Sequence, residues 1–291
     1  MIGSINMDYV YTVKELPRKG ETLLVETFIE NPGGKGANQA VAAKRLGAEV
    51  TMIGAIGKDI VGNKLKENLE KEGINVKNVK KVDFPSGNAM ITVDQNGNNT
   101  ILVYPGANLH IEKEDIDRCE GIIKDNDFII LQLEISIDTV LQAAKLGKKN
   151  NKKVILNPAP AKDLPEEIYQ YIDYITPNET ELTAMTGIED IELAARELIK
   201  KGAKNVVVTL GEEGCYFLGK EELKVPSFKV EAIDTTAAGD SFNAALAIAL
   251  GEGKEIEEAL KFCNAVGAIS TTKRGAQTSL PFITEVKNFY K

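Results

Sequence analysis

The sequence predicts an α/β protein: a central, mainly parallel sheet with helices on both faces, Rossmann-like in plan, and a small separate β-sheet. Three observations carry this. Short β-rich runs alternate with amphipathic helical runs through most of the 291 residues, a pattern that buries a parallel sheet between two helix layers. Two stretches in the first third break the alternation, with strands and no helix between them. The length suits one large α/β unit or a core with a small appendage, and no internal repeat points to a solenoid.

The elements follow in order. Tyr9–Glu15 and Thr22–Glu30 read as helix-free strands. A helix over Asn38–Leu46 stops at Gly47, and a strand covers Val50–Ile56. The helix Ile60–Glu72 has Asp59 as its cap and Gly73 as its stop. Strands Gly87–Val93 and Thr100–Tyr104 flank Asp94-Gln95-Asn96-Gly97-Asn98, whose Asn-Gly marks a hairpin. Strand–helix alternation resumes with Phe128–Leu133, Thr139–Lys149, Lys153–Leu156, Tyr174–Thr176, Glu179–Met185, Ile191–Lys201 and Asn205–Leu210. The helices Gly239–Leu250, Ile256–Thr272 and Thr284–Tyr290 complete the chain, and the basic run Lys148–Lys153 reads as a solvated loop. The whole, residues 1–291, is expected to be one domain, with a β lid from about 9–30 and 87–104 that shields a cleft from water.

Composition removes several classes of function. The formal charge of −8 disfavours nucleic acid, which requires a basic face. An anionic ligand would have to be met locally, by helix N-termini, backbone amides or metal ions. No apolar run approaches the roughly 18 residues of a membrane span. The start Met1-Ile2-Gly3-Ser4-Ile5-Asn6 lacks the basic and apolar regions of a signal peptide, so a cytoplasmic protein is expected. Cys119, Cys215 and Cys263 are far apart and unpaired by any C-x-x-C, which reads as core thiols. His110 is the only histidine; a Ser-His-Asp triad or His-based zinc site is therefore set aside, and a general base is sought among carboxylates, lysines and tyrosines.

Neither G-x-x-x-x-G-K-[ST] nor G-x-G-x-x-G occurs, which weighs against P-loop enzymes and common dinucleotide folds. The most informative segment is Asp234-Thr235-Thr236-Ala237-Ala238-Gly239-Asp240-Ser241-Phe242-Asn243. Small residues lead into an apolar helix, so the amides of Ala237 to Asp240 would form an anion hole aligned with the helix dipole. Asp240 stands at its mouth, either as a helix cap or as a base. Asn31-Pro32-Gly33-Gly34-Lys35-Gly36-Ala37-Asn38 is a glycine-rich loop opening another helix, where Asn38 can bond hydroxyls. Asn178-Glu179-Thr180-Glu181 places two carboxylates at a helix start, for capping or for the waters of a magnesium ion. Thr209-Leu210-Gly211-Glu212-Glu213-Gly214 ends a strand with a turn along which a nucleotide could lie.

These segments, in order, resemble the ribokinase family of sugar and nucleoside kinases. The matching motifs are Gly3 to Asp8, Gly33 to Ala43, Gln132-Leu133-Glu134, Asn157 to Ala161, Thr176 to Glu181, Asp234 to Asp240 and Gly275-Ala276-Gln277. Two departures stand out: the first strand begins just before Gly3, as though a few residues preceded it, and Ala238 stands where many members carry Gly. The resemblance implies a ribokinase-like fold and phosphoryl transfer from ATP to the 5-hydroxyl of D-ribose. Asp240 would be the base and Ala237, Ala238 and Gly239 the anion hole. Asn6, Asp8, Gly34, Lys35, Gly36, Ala37, Asn38, Glu134 and Asp240 would meet the sugar. Asn178, Glu181, Thr209, Leu210, Gly211, Glu212, Glu213, Gly214, Gly239, Asp240 and Asn264 would meet the nucleotide. Glu181 would hold Mg²⁺ through water, and Asp234, Thr236, Ser270, Lys273, Gly275 and Ser279 would form a K⁺ loop.

Three rival readings remain: a sibling kinase for fructose, deoxyribose or a nucleoside; a silent sugar sensor on the same fold; and, more distantly, a dehydrogenase. A homodimer is expected through the lid, whose Val10, Leu23, Val25, Phe28, Ile91 and Val93 exceed what one small sheet can bury.

Overall fold

The structure, a computed structural model, describes residues 1–289. The chain opens β1 (Asn6–Thr12), β2 (Thr27–Gly33), α1 (Lys35–Arg45), β3 (Thr51–Gly57), α2 (Ile60–Lys71), β4 (Asn75–Val82), β5 (Gly87–Val93) and β6 (Asn99–Tyr104). It continues α3 (Lys113–Arg118), α4 (Glu120–Lys124), β7 (Phe128–Leu131), α5 (Ile137–Lys149), β8 (Lys153–Leu156), β9 (Tyr174–Ile175), α6 (Glu179–Thr186) and α7 (Ile191–Lys200). It closes β10 (Val206–Thr209), β11 (Cys215–Leu218), β12 (Glu222–Val225), α8 (Ala238–Gly251), α9 (Ile256–Thr271), α10 (Ala276–Ser279) and α11 (Ile283–Phe289). Tyr290, expected in the last helix, lies outside the described residues.

The main sheet runs β12-β11-β10-β9-β8-β7, and Ile2 bridges Leu131 and Ile53 in parallel, so the β3-β4 pair continues it. Its pairings are parallel except for the antiparallel β10-β11-β12 edge. Alternation along the strands sends Ile130, Ile155 and Val207 into one core, with Ala40, Leu65, Leu246, Leu260 and Val286 from α1, α2, α8, α9 and α11. Ile129, Leu131, Val154, Leu156, Val206 and Val208 enter the other, against Ile116, Ile123, Val140, Leu182 and Leu198 from α3 to α7. Each such fully buried side chain stabilises the fold by roughly 1.5–3 kcal/mol. This is the expected doubly covered sheet.

The helix-free segments form a separate four-stranded sheet, β2-β1-β5-β6. Its bounds differ from expectation: β1 begins at Asn6, β2 covers Thr27–Gly33, and residues 22–26 are not strand. The register decides this. Asn6 opposes Gly33 and Thr12 opposes Thr27, so Asn31-Pro32-Gly33 is held extended by its partner despite low strand propensity. The Asn-Gly hairpin forms as read, with the Asp94 carboxylate accepting from the Asn96 and Asn98 amides at 2.9 Å each.

Three strands went unread. In β4 the sequence Asn-Val-Lys-Asn-Val-Lys-Lys-Val buries only Val76, Val79 and Val82, a lysine-rich pattern that suits an outer strand. The β11-β12 hairpin is too short to show a period. Asp59 caps α2 as predicted, accepting from Gly62 N at 2.6 Å. Helix α1 starts three residues earlier than expected, because Gly34 turns at φ 88 and lets Lys35 begin it. The three cysteines are buried and free. His110 stacks on Phe84 with ring centroids 3.6 Å apart.

Candidate active site

Helix α8 begins where the sequence places the anion hole. Its N-cap, Ala237, is a non-glycine residue in the left-handed region at φ 63, a conformation costing about 1–2 kcal/mol. That turn leaves open space over Gly239, where a Cβ would meet nothing within 4 Å. The hole is narrower than the expected run of amides: Ala238 N donates to Thr235 O at 3.2 Å and is taken up by the turn. Ala237, Gly239 and Asp240 keep amides at the start of the helix, where intrahelical partners are lacking.

Asp240 is buried in the first turn, only 6% exposed. Asn38 Nδ2 donates to its Oδ2 at 2.9 Å and Gln39 Nε2 to its Oδ1 at 3.0 Å. Burial raises its pKa, opposed by the Lys35 charge and these two hydrogen bonds. Asn38 is itself buried, and its Oδ1 has no hydrogen-bond partner among the described residues. An acceptor of this kind, beside a carboxylate, suits a substrate hydroxyl.

The glycine-rich loop folds against β1. A Cβ at Gly34 would lie 2.7 Å from Asn6 N, so no side chain fits there, and one at Gly33 would lie 2.1 Å from Asp8 Oδ2 and displace that carboxylate. Burial, then the charges of Glu134 and Asp240, push the Asp8 carboxyl up to about 7. Glu134 accepts from Ser4 Oγ at 2.5 Å and Lys35 N at 3.1 Å. Burial alone would pull the Lys35 ammonium down, but Asp240, Glu134, Glu181 and Asp8 outweigh it and hold the pKa up. One cation thus offsets four carboxylates drawn from β1, the segment after β7, α6 and α8. Asn6 Oδ1 accepts from Asn108 Nδ2 at 2.7 Å; Asn108 was not read from the sequence, because it stands in no motif.

Gly36 and Ala37 are spent on scaffolding. The amide of Gly36 donates to Ser4 Oγ at 3.3 Å and that of Ala37 to Ser4 O at 2.9 Å.

A cavity of about 990 Å³ adjoins Gly239, lined by Asn178, Thr209, Gly211, Glu212, Glu213 and Gly214 from the predicted set. Asn264 also lines it and ties Val225 O and Pro226 O at 3.0 and 3.1 Å. Leu210 is absent from its wall and packs into the core beneath. Phe228 and Phe242, unread from sequence, add apolar surface to the same cavity. Glu181 forms a reciprocal cap with Asn178, its Oε2 accepting Asn178 N at 2.9 Å. Burial raises its pKa against that hydrogen bond and the pull of Lys35.

Of the residues expected to hold K⁺, Asp234, Thr236 and Gly275 meet just before α8, while Ser279 is buried in α10 with its Oγ donating to Ala276 O at 2.8 Å. Asp234 accepts from Thr236 N at 2.9 Å and Gly275 N at 2.8 Å, which hold its carboxyl below the usual range despite partial burial. Ser270 lies in the last turn of α9, where carbonyls lack intrahelical partners. Lys273 directs its ammonium to Glu285, leaving only its carbonyl to the loop. Asp234 N also donates to Thr271 O at 3.1 Å, so Asp234 stands beside the carbonyl end of α9, an all-oxygen setting whose chemistry suits a hard cation. Among the described residues no three His, Cys, Asp or Glu side chains gather into a metal cage.

A buried carboxylate at an amide-lined helix start, between a polar pocket and a nucleotide-sized cavity, defines a phosphotransferase with an alcohol acceptor. The chain belongs to the pfkB family of carbohydrate kinases, whose model matches residues 1–283. It is 42% identical over 296 residues to a ribokinase of Haemophilus influenzae, covering 99% of this chain and 97% of that one. It is 40% identical over 297 residues to a deoxyribokinase of Salmonella typhi, at 99% and 97% coverage. Ribokinase from Thermotoga maritima superposes with a TM-score of 0.93 at 43% identity, covering 99% and 97%. Arabidopsis thaliana ribokinase, solved with ribose and ATP, superposes at 0.91 with 32% identity, covering 100% and 97%.

Proposed function

We propose that this chain transfers the γ-phosphoryl of ATP to the 5-hydroxyl of D-ribose, giving ribose 5-phosphate and ADP. The observation that carries it is the pairing of buried Asp240 with the unpartnered Asn38 Oδ1, next along the chain from Gly239 in the cavity wall. Ribose hydroxyls would be held by Asp8, Asn6, Asn38, Glu134 and the Gly34 backbone, with Lys35 balancing the carboxylates. The 5-hydroxyl gives its proton to Asp240 as its oxygen bonds the γ-phosphorus. The bond from that phosphorus to the bridging oxygen breaks, and the pair leaves on ADP. The amides of Ala237, Gly239 and Asp240 would hold the γ-phosphoryl oxygens. Gly211 to Gly214 and Asn264 would line the nucleotide's path.

Mg²⁺ arriving with ATP would supply charge neutralisation, and Glu181 would hold it through water. K⁺ would sit among the oxygens of Asp234, Thr236, Ser270, Lys273, Gly275 and Ser279, fixing the turn that shapes the hole. The four-stranded sheet would act as a lid on a single α/β domain, and two lids would pair in a homodimer. No helix among the described residues is long and apolar enough to cross a membrane.

Deoxyribose is the second reading, favoured by the Salmonella typhi relative. The two sugars differ by one hydroxyl. A pocket built to bond it rejects the analogue lacking it, because its own polar groups are left unpaired. ADP release across ribose, 2-deoxyribose and fructose with MgATP decides the matter. Ribose is expected to lead in kcat/KM; a lead by either other sugar would overturn the assignment, and no ADP with any sugar would indicate a sensor.

A further inference from the structure

Behind Asp240 lies a chain of buried amides that the reaction as described does not use. Gln39 and Gln132 are wholly buried, and Asn157, Thr176 and Asn243 nearly so. Gln132 Nε2 donates to Gln39 Oε1 at 2.6 Å, which fixes the Gln39 amide. Gln39 Nε2 then donates to both Asp240 Oδ1, at 3.0 Å, and Asn157 Oδ1, at 3.1 Å. Asn157 Nδ2 donates to Thr176 O at 3.2 Å. Thr176 Oγ1 donates to Asn243 Oδ1 at 2.6 Å, and Asn243 Nδ2 to Gly239 O at 2.9 Å. The line runs from the carboxylate of Asp240 to the carbonyl of Gly239, whose peptide carries the Asp240 amide.

We infer that this relay, with Gln39 as its key positioning residue, sets the base and the anion hole in one fixed geometry. Both amide hydrogens of Gln39 are committed, so it cannot rotate without breaking a buried bond. Its grip on Oδ1, with Asn38 on Oδ2, holds the carboxylate plane. Asn243 loads the other end: a hydrogen bond to a carbonyl polarises the N–H of the same peptide, strengthening the Asp240 amide as a donor. Buried networks of this kind rigidify a site where their members are satisfied; along the relay only Gln132 Oε1 has no partner, and beside the base Asn38 Oδ1 is left free for the substrate. The relay also gives a role to Gln132, Asn157 and Thr176, none of which has an assigned contact with sugar or nucleotide.

The inference rests on Asp240 as the base, so the test separates the two. kcat would be measured against pH with ribose and MgATP saturating, for wild type, Asp240→Asn and Gln39→Met. Methionine matches glutamine in length and fills its space without the hydrogen bonds. The charged groups facing Asp240 are Lys35 on α1, Glu134 after β7, Asp8 on β1 and Glu181 on α6, and all remain in the variant. Losing a bond to the ionised form favours the protonated carboxyl, so the acid limb should move to higher pH. kcat at its plateau should fall about ten- to a hundredfold, with both KM values within about threefold. A merely structural role would lower the active fraction and leave the limb in place. An unmoved limb in folded Gln39→Met overturns the relay. Should that variant not fold, Asn157→Ser, which frees Gln39 from its second anchor, is read the same way, and an unmoved limb there also overturns it. If wild type releases no ADP with ribose, or Asp240→Asn stays active, the base assignment fails and the relay with it.

Discussion

Asp240 and Asp8 are both buried carboxylates, yet their surroundings prepare them for different work. Asp240 receives hydrogen bonds from Asn38 and Gln39, which stabilise its charged form against burial. As the base it contacts the attacking hydroxyl chiefly as the proton leaves, so its loss belongs in kcat rather than in affinity. Asp240→Asn should lower kcat by ~10²–10⁴-fold, while calorimetric ATP affinity stays close to wild type. Asn caps a helix nearly as well as Asp, so a variant keeping more than about a tenth of wild-type kcat would mark Asp240 as a cap alone. Asp8 has no such hydrogen bonds, and burial, then the charges of Glu134 and Asp240, outweigh the pull of Lys35 and push its carboxyl up to about 7. A carboxyl that must be ionised to accept from a ribose hydroxyl binds better as pH rises through that value, then levels off. Ribose affinity should therefore weaken as pH falls below about 7, by up to tenfold per unit. Folding stability should run oppositely, declining as pH rises from the ordinary carboxylate range to about 7. Calorimetric titration with ribose across neutral pH checks the first, and Asp8→Asn should flatten the slope.

Helix α8 and the loop before α1 show how single elements set these residues. Gly34 turns at φ 88 with the β1 backbone against it. Gly34→Ala should cost at least the roughly 1–2 kcal/mol of a left-handed alanine, seen as a lower urea midpoint, and should raise KM for ribose by displacing Asn6. At α8 the turn from Thr235 to Ala238 is braced by Asp234, which also holds Gly275. If K⁺ occupies that junction, replacing it by Na⁺ should lower kcat substantially, and Asp234→Ala should erase the difference. Equal rates in K⁺, Na⁺ and a bulky organic cation would exclude a specific site.

At the scale of the whole molecule, the four-stranded sheet is rooted in the core through Met7, with Ala89 buried beside it, while its outer strands are open on both faces. Neighbouring residues are exposed together: Phe28 and Ile29 at 50% each, then Ile101, Leu102 and Val103 at 53%, 70% and 53%. One face can close over the cleft and the other can bury against a second copy. Light scattering at micromolar concentration should give twice the 31.6 kDa chain mass, and Leu102→Asp should reduce it. A monomer with full activity would defeat the pairing.

The sequence by itself determined the layered α/β architecture, because hydrophobic period and helix punctuation are local signals that nearby residues fully specify. It also marked the candidate site residues, since Gly33 to Asn38, Asn178 to Glu181 and Asp234 to Asp240 stand as contiguous motifs. Tertiary structure decided what no local pattern contains. The bounds of β2 come from its register with β1, and β4 is a strand because β3 lies beside it. Only the assembled fold turns the Ala238 amide back onto Thr235, removes Leu210 from the cavity wall and brings Asn108 to Asn6. It alone places Gln39 and Asp240, 201 positions apart, within one hydrogen bond. Contacts of that kind depend on packing between distant elements, whose distances and angles are set by the whole core rather than by any segment.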